Sequence, residues 1–278
     1  NRLPAGFQEH FGVVVFDEVH NIGARWFSTV ADVGLGARWG LSATPSRADG
    51  LEKLYQAHVG PLLYQSTDQP SRPVAYFIQL STRLAGTEDF QDRYGDLSIT
   101  KVLNWLSANK ARNHAIQRVL SEAVESGRTV IAVSERVAHC DEVADGVVGA
   151  SSVTAKLKLS DRYDRLSSSN VVVGTSRIVR EGLDRSELDT LAILLPFRRE
   201  EKFVQTMGRV QRSSDPMILV FEDYMIPVCR NQCDALRGHL KTRGYEYHMI
   251  SGSKYEDREQ DRVVAGVGGG VLALRKVS

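Results

Sequence analysis

Four clusters in this chain are built from residue types that do chemistry. The first is Asp17-Glu18-Val19-His20, two adjacent carboxylates followed by an imidazole. Val13-Val14-Val15-Phe16 runs into it, apolar and rich in β-branched types, and reads as a strand buried on both faces that ends in the acidic pair. In open α/β sheets ligands bind at the carboxyl ends of strands, so this charge stands where reactions are done, although Asp-Glu there could also be a helix N-cap. The second cluster is Ser42-Ala43-Thr44-Pro45, small hydroxyl residues closing a short strand over 38–41, with a proline that stops regular structure. The third is Thr175, at the end of an apolar run over 170–174, with Glu181-Gly182-Leu183-Asp184 six residues further on. The fourth, Gln205-x-x-Gly208-Arg209-x-x-Arg212, spaces two guanidiniums three apart, which on a helix is one face. Taken alone, such an arginine pair is ordinary solvated surface.

The elements that must position these clusters alternate in type. Ile22, Trp26, Phe27 and Val30 have helical spacing, so a strand over 11–16, a helix over 22–33 and the strand over 38–41 form a βαβ unit whose active edge is populated twice. From 51 to about 108 the pattern is less regular, punctuated by Pro61, Pro70 and Pro73, with a polar loop from Gly86 to Gly95. A new rhythm begins near Lys110: Ile116, Val119, Leu120 and Val124 mark a helix closed by Gly127. Strands follow over 129–133 (ending in Ser134-Glu135-Arg136), 170–174, 191–195 and 217–221, with helices over 137–145 and around Gln205 to Arg212. Strands alternating with helices predict a second parallel sheet. Beyond Ser251 the chain is polar and then glycine-rich at Gly266, Gly268, Gly269 and Gly270, and reads as a flexible tail.

With 278 residues, 42% hydrophobic and 25% charged, the chain can hold one large or two ordinary globular domains. No apolar run reaches the roughly 18–20 residues of a membrane span, and no signal peptide is visible. Three cysteines (Cys140, Cys229, Cys233) are too few and too odd in number for a disulfide framework, which points to a reducing, cytoplasmic setting. Cys229 and Cys233 lie one helical turn apart with no second ligand pair, so a metal is not expected there. A net charge of +1 excludes a bulk electrostatic nucleic-acid binder but leaves room for a local basic track.

Jointly, in this order and on two α/β units, the four clusters strongly resemble the ATPase core of superfamily 2 helicases and translocases, over most of 11–50 and 110–225. Asp17 to His20 resembles the DExH form of the Walker B motif, and Ser42, Ala43 and Thr44 the coupling motif III. Thr175 with Glu181–Asp184 is similar to motif V, and Gln205–Arg212 to motif VI. The stretch Trp39-Gly40-Leu41-Ser42-Ala43-Thr44-Pro45-x-Arg47-x-Asp49-Gly50 is closest to the XPB-like, DNA-directed branch. The resemblance implies an α/β fold with two RecA-like parallel-sheet domains, the first truncated at its N-terminus. Residues 1–80 would form the carboxyl-terminal part of the first, 81–109 a connector, 110–250 the second, and 251–278 the tail.

It also implies ATP and Mg2+ as cofactors, with a role for each residue. Asp17 would hold Mg2+, through water because that ion keeps several of its own, and Glu18 would polarise the attacking water as general base. His20 would relay the nucleotide state towards Gln205 and motif III. Arg209 and Arg212 would be arginine fingers supplied when the cleft closes, and Gly182 and Asp184 would approach the ribose. Thr175 would donate to a nucleic-acid phosphate, with Ser134 and Arg136 as candidates for the same task. Arg47 and Asp49 would touch duplex DNA or pair with each other in their loop.

One departure stands out: no Gly-Lys-Ser/Thr phosphate loop occurs in the 278 residues, and Gly252-Ser253-Lys254 is not one. In the family that loop lies upstream of the acidic strand, so an upstream segment or a second chain is expected to supply it. By itself this chain would then be inert as an ATPase and would present an unpaired apolar edge. The implied function is the motor portion of an ATP-dependent helicase or translocase acting on single-stranded or forked DNA in replication, recombination or repair. The alternatives are a restriction-type translocase that moves on duplex without unwinding, and a non-hydrolysing nucleic-acid-binding module. Glu18, Arg209 and Arg212 argue against the last, which would have no use for them.

Overall fold

Parallel strands organise both parts of the chain. The computed structural model describes residues 10–19, 36–42, 52–65, 71–182, 185, 187–196, 203 and 206–256. His20, Ala43, Thr44, Arg47, Asp49, Asp184 and Gln205, the helix expected over 22–33 and the glycine-rich end of the tail lie outside the described residues. The chain divides into two units, Asn1–Asp68 and Gln69–Ser278.

In the first unit, β1 (Val13–Phe16) and β2 (Ala37–Gly40) pair in parallel, with Val13 opposite Ala37 and Phe16 opposite Gly40. Facing residues of a ladder share a side, so Val13, Val15 and Trp39 point the same way; they are 54%, 57% and 56% exposed. On the other side Val14 and Phe16 pack with Val19 and with Val59 of α1 (Glu52–Val59). The strand expected to be buried on both faces is therefore covered on one face among the described residues, because α1 and the turn after β1 lie on one side of a two-stranded ladder.

In the second unit seven parallel strands run in the order β5-β6-β4-β7-β8-β3-β9. Their ranges are β3 (Val74–Leu80), β4 (Val130–Val133), β5 (Ala150–Val153), β6 (Val171–Gly174), β7 (Thr190–Ile193), β8 (Met217–Asp223) and β9 (Tyr247–Ser251). Alternate strand residues feed two cores, the period-2 signature of a sheet covered on both sides. Val130, Ala132, Val171, Val173, Leu219 and Phe221 pack against α3 (Lys110–Glu125) and α4 (Val137–Asp145) through residues such as Ile116, Leu120 and Val143. Ile131, Val133, Val172, Ile193, Ile218 and Val220 pack on the opposite side. Their partners there include Leu166 of α5 (Leu159–Ser168), Val179 of α6 (Ser176–Gly182) and Leu240 of α7 (Pro227–Thr242). Asn109 ends α2 (Ile99–Ala108) and caps α3, its side chain accepting from the Arg112 N–H at 3.0 Å. No helix among the described residues is long and apolar enough to cross a membrane.

Three expected boundaries move. Residues 74–80 are not the end of the first domain: β3 pairs with β8 and β9 inside the second sheet, and Ala75, Phe77, Ile78 and Leu80 are fully buried there. Pro73 stands just ahead of this strand, where it needs no ladder N–H and does not interrupt it. The stretch 81–109 is not a free connector. Leu84, Phe90, Leu97 and Trp105 join Val102 and Leu106 of α2 on Leu195, Ile226 and Cys229. Nor does the tail begin at 251. Gly252 donates its N–H to Gln79 O at 2.9 Å, and a Cβ there would stand 2.6 Å from that oxygen, so the crossing requires glycine. Beyond it the Tyr255 hydroxyl reaches Glu122 at 2.7 Å, and Glu256 accepts from the Ser81 N–H and hydroxyl at 2.6 and 2.8 Å.

Candidate nucleotide and nucleic-acid sites

The acidic pair occupies a tight turn that β2 clasps. Leu41 N–H donates to Phe16 O at 2.9 Å, and Val19 N–H donates to Leu41 O at 2.8 Å, so the residue before Ser42 holds both ends of the Asp17-Glu18 turn. Asp17 is exposed, and its Oδ1 accepts from the Glu18 N–H at 2.9 Å. Glu18 has φ of 50°, the one left-handed non-glycine among the described residues. That conformation costs an L-residue about 1–2 kcal/mol, and such strain collects where a side chain must be aimed. Val19 is buried against Gly40, where an added Cβ would sit 2.8 Å from Val19 Cγ2. The structure thus brings Asp17, Glu18 and Ser42 to one strand edge. No cluster of three or more acidic, histidine or cysteine side chains forms among the described residues. A lone exposed carboxylate at a strand end suits Mg2+ held mainly by water and phosphate oxygens, and does not suit an all-protein cage.

At the carboxyl edge of the second sheet β4 and β6 are neighbours, Val133 opposite Gly174, and Ser134 N–H donates to Gly174 O at 3.1 Å. Ser134 is therefore adjacent to the strand end that leads into Thr175, with Arg136 two residues further on. Ser134 departs from its expected role. Ser134 is 1% exposed, and its Oγ lies 2.9 Å from His139 Nδ1 and accepts from the Arg136 N–H at 3.2 Å. Burial takes it away from any phosphate, so the expected direct contact is corrected to a supporting one. His139 Nε2 lies 3.0 Å from Asn113 Oδ1, and Asn113 Nδ2 donates to Ser107 O at 3.0 Å. Burial, reinforced by the Arg112 charge, pushes His139 from 6.5 down to about 3, so the ring is neutral. A neutral ring protonated on Nε2 satisfies the whole line: Ser134 donates to His139, His139 to Asn113, Asn113 to the backbone. Arg136 is half-exposed, and its Nε donates to Asn104 Oδ1 of α2 at 2.5 Å. Thr175 is half-buried, its carbonyl accepting from the Val179 N–H at 3.0 Å, and Gly182 ends α6.

The arginine pair is not on a regular helix. Thr206 and Met207 are helical, but 208–212 continue as turns, with N–H donation from Arg209 to Thr206 O and from Val210 to Met207 O at 3.2 and 3.0 Å. Three-residue hydrogen bonds predominate, with one four-residue bond from the Gln211 N–H to Met207 O at 3.3 Å, leaving Arg209 half-buried and Arg212 exposed. Gln211 Nε2 donates to the Tyr245 hydroxyl, just before β9, and Asp215 pairs with Arg128, just before β4, at 2.7 Å. The run therefore reaches the amino edge of the sheet, opposite the edge that carries Ser134 and Thr175. Asn104, Asn113 and His139 carry no motif in the sequence. Exposed Asn104 carries no other sign, and for Asn113 and His139 the only sign is a polar residue on an otherwise apolar helix face. The same is true of Arg112, whose guanidinium pairs with buried Asp223 at 2.9 Å and donates to Leu194 O at 2.7 Å. Cys140, Cys229 and Cys233 are buried free thiols, and burial raises Cys140 and Cys229 to about 12.

The large parallel sheet covered by helices on both sides defines the class as an α/β fold of the RecA-like kind. No family model matches the chain. It is 26% identical over 233 residues to the "Putative ATP-dependent RNA helicase L396" of Acanthamoeba polyphaga mimivirus, covering 78% of this chain and 43% of the relative. It is 22% identical over 256 residues to the DNA 3'-5' translocase XPB2 of Sulfurisphaera tokodaii, covering 76% of this chain and 58% of the relative. Among solved structures, yeast Dbp5 bound to RNA and ADP BeF3 superposes with a TM-score of 0.59 over 88% of this chain and 61% of that one, at 11% identity. T4 UvsW superposes with a TM-score of 0.51 over 90% of this chain and 56% of that one, at 12% identity. The chain is thus similar to superfamily 2 helicases and translocases, XPB proteins among them, and it spans about half the length of the curated relatives it matches.

Proposed function

We propose that this chain is the motor portion of an ATP-dependent DNA helicase or translocase acting in replication, recombination or repair. The observation that carries the reading is the acidic turn, with an exposed Asp17, a left-handed Glu18 and backbone bonds that tie both to the strand end bearing Ser42. Hydrolysis of a nucleotide needs an oriented water and compensation of charge on the transferred phosphoryl group. Mg2+, when bound with ATP, supplies that compensation. Asp17 would hold it, and Glu18 would take the proton of the attacking water. Arg209 and Arg212 contribute guanidiniums, Gly182 and Asp184 meet the ribose, and His20, Gln205, Ser42, Ala43 and Thr44 pass the nucleotide state on. Arg136 and Thr175 contact nucleic-acid phosphates, with Arg47 a further contact.

A Gly-Lys-Ser/Thr loop completes this chemistry, and we assign it to an upstream segment or a second chain. The exposed Val13, Val15 and Trp39 suit a covering partner of that kind. DNA is favoured over RNA by the Trp39–Gly50 stretch and by the DNA-directed relative, although another relative is named for RNA. The test uses the complete enzyme. Glu18→Gln is expected to abolish DNA-stimulated turnover while leaving ATP affinity nearly intact. An equal loss of both would overturn the assignment of Glu18. Strand displacement on forked DNA, set against RNA and against duplex translocation without unwinding, distinguishes the substrate classes.

A further inference from the structure

We propose that Asn113, His139 and Ser134 form a buried positioning line that fixes the backbone at Arg136 and, together with Asn104, presents the Arg136 guanidinium to a nucleic-acid phosphate. The inference rests on the reading of Arg136 as a phosphate contact. The three buried side chains, each 1% exposed, run without a break from α3 through α4 to the end of β4. Serine, histidine and asparagine in hydrogen-bonded order also describe a nucleophile, its base and an orienting group, but a fully enclosed hydroxyl has no access to an acyl substrate. What the line does reach is backbone: Ser134 Oγ accepts from the Arg136 N–H at 3.2 Å, while Asn113 is anchored on Ser107 O at 3.0 Å.

Arg136 is held from a second side. Its Nε is occupied by Asn104 Oδ1 on α2, so the guanidinium plane is set by one helix and its root by another. A side chain with Arg136's rotamer freedom loses less entropy on meeting a phosphate when both ends are already fixed. Its Nη1 makes one long hydrogen bond, to Glu135 O at 3.4 Å, which a phosphate would displace; Thr175 follows the neighbouring strand, and the pair suits a repeating phosphate backbone read without sequence preference. Ser134, His139, Asn113 and Asn104 are positioning residues, and they act only through Arg136.

A double-mutant cycle tests this on the 278-residue chain, with a labelled 20-nucleotide single-stranded DNA and fluorescence anisotropy at fixed low salt. Arg136→Ala is expected to weaken binding about fivefold and to lower the salt slope by about one phosphate contact. Ser134→Ala and Asn104→Ala are each expected to weaken it about threefold. Either one combined with Arg136→Ala should bind no worse than Arg136→Ala alone, a coupling that general loosening of the fold would not produce. Asn104 is exposed, so its variant folds whatever happens at Ser134, and His139→Gln replaces Ser134→Ala if that protein melts below the assay temperature. Wild-type affinity in Arg136→Ala would overturn the phosphate reading and the inference with it. Weak binding by Arg136→Ala, alongside wild-type affinity or additive losses in the other variants, would overturn the inference alone.

Discussion

His139 ties the stability of the second unit to pH, and the size of the effect follows from its surroundings. The ring is 1% exposed, lies between Ser134 and Asn113, and faces the Arg112 charge, which together hold it near 3 against 6.5 when free. A group whose native pKa is depressed as a base binds its proton in the unfolded chain first, so stability falls as pH drops below 6.5 and goes on falling towards 3. The slope is about 1.4 kcal/mol per pH unit in that window, or roughly 2 kcal/mol between pH 7.5 and pH 5. Carboxylates add their own pH dependence, so the measurement is a difference. Urea unfolding of the wild-type chain and of His139→Gln, at half-unit steps from pH 7.5 to 5, isolates the histidine. Gln keeps one donor and one acceptor but has no proton to gain. The wild type is expected to lose roughly 2 kcal/mol more than the variant across that range, with the two curves parallel above pH 7. Parallel curves throughout would refute a buried neutral imidazole and remove the directional hydrogen-bond line with it.

Other perturbations probe the remaining contacts. Asp223→Ala leaves the Arg112 guanidinium buried beside Leu194 O without its carboxylate, and should cost about 3–5 kcal/mol, lowering Tm by roughly 10 °C in a calorimetric scan. Gly40→Ala drives a Cβ to 2.8 Å from Val19 Cγ2 and displaces the acidic turn. In the complete enzyme turnover should fall about tenfold or more, and Val19→Ala in the same protein should restore it, as followed by phosphate release. Cys140 and Cys229, pushed to about 12 by burial, carry on the order of one thiolate in ten thousand at pH 8. A maleimide titration should therefore leave the native chain unlabelled over minutes and label all three cysteines once it is unfolded.

Local pattern was enough to read most of the alternation. The apolar runs at Val130, Val171, Thr190 and Met217 became β4, β6, β7 and β8, because a strand covered on both sides must be apolar throughout, whatever its neighbours are. That Ser134 and Thr175 share one sheet edge was legible for a related reason, since parallel strands of an α/β sheet collect their carboxyl ends there, whereas the pairing of β4 with β6 was not. Tertiary structure alone decided the rest. That β3 crosses into the second sheet depends on long-range pairing with β8 and β9, which leaves no trace in the spacing of 74–80. The fate of Ser134 depended on His139 and Asn113, drawn from two helices and carrying no motif. The chain through Arg209 and Arg212 mixes hydrogen bonds of three- and four-residue span, which helical spacing by itself cannot tell apart. Periodicity records which face of an element is dry. Which polar group waits on that face, and whether it leaves a hydroxyl open to a ligand or engages it, is settled only when distant segments pack.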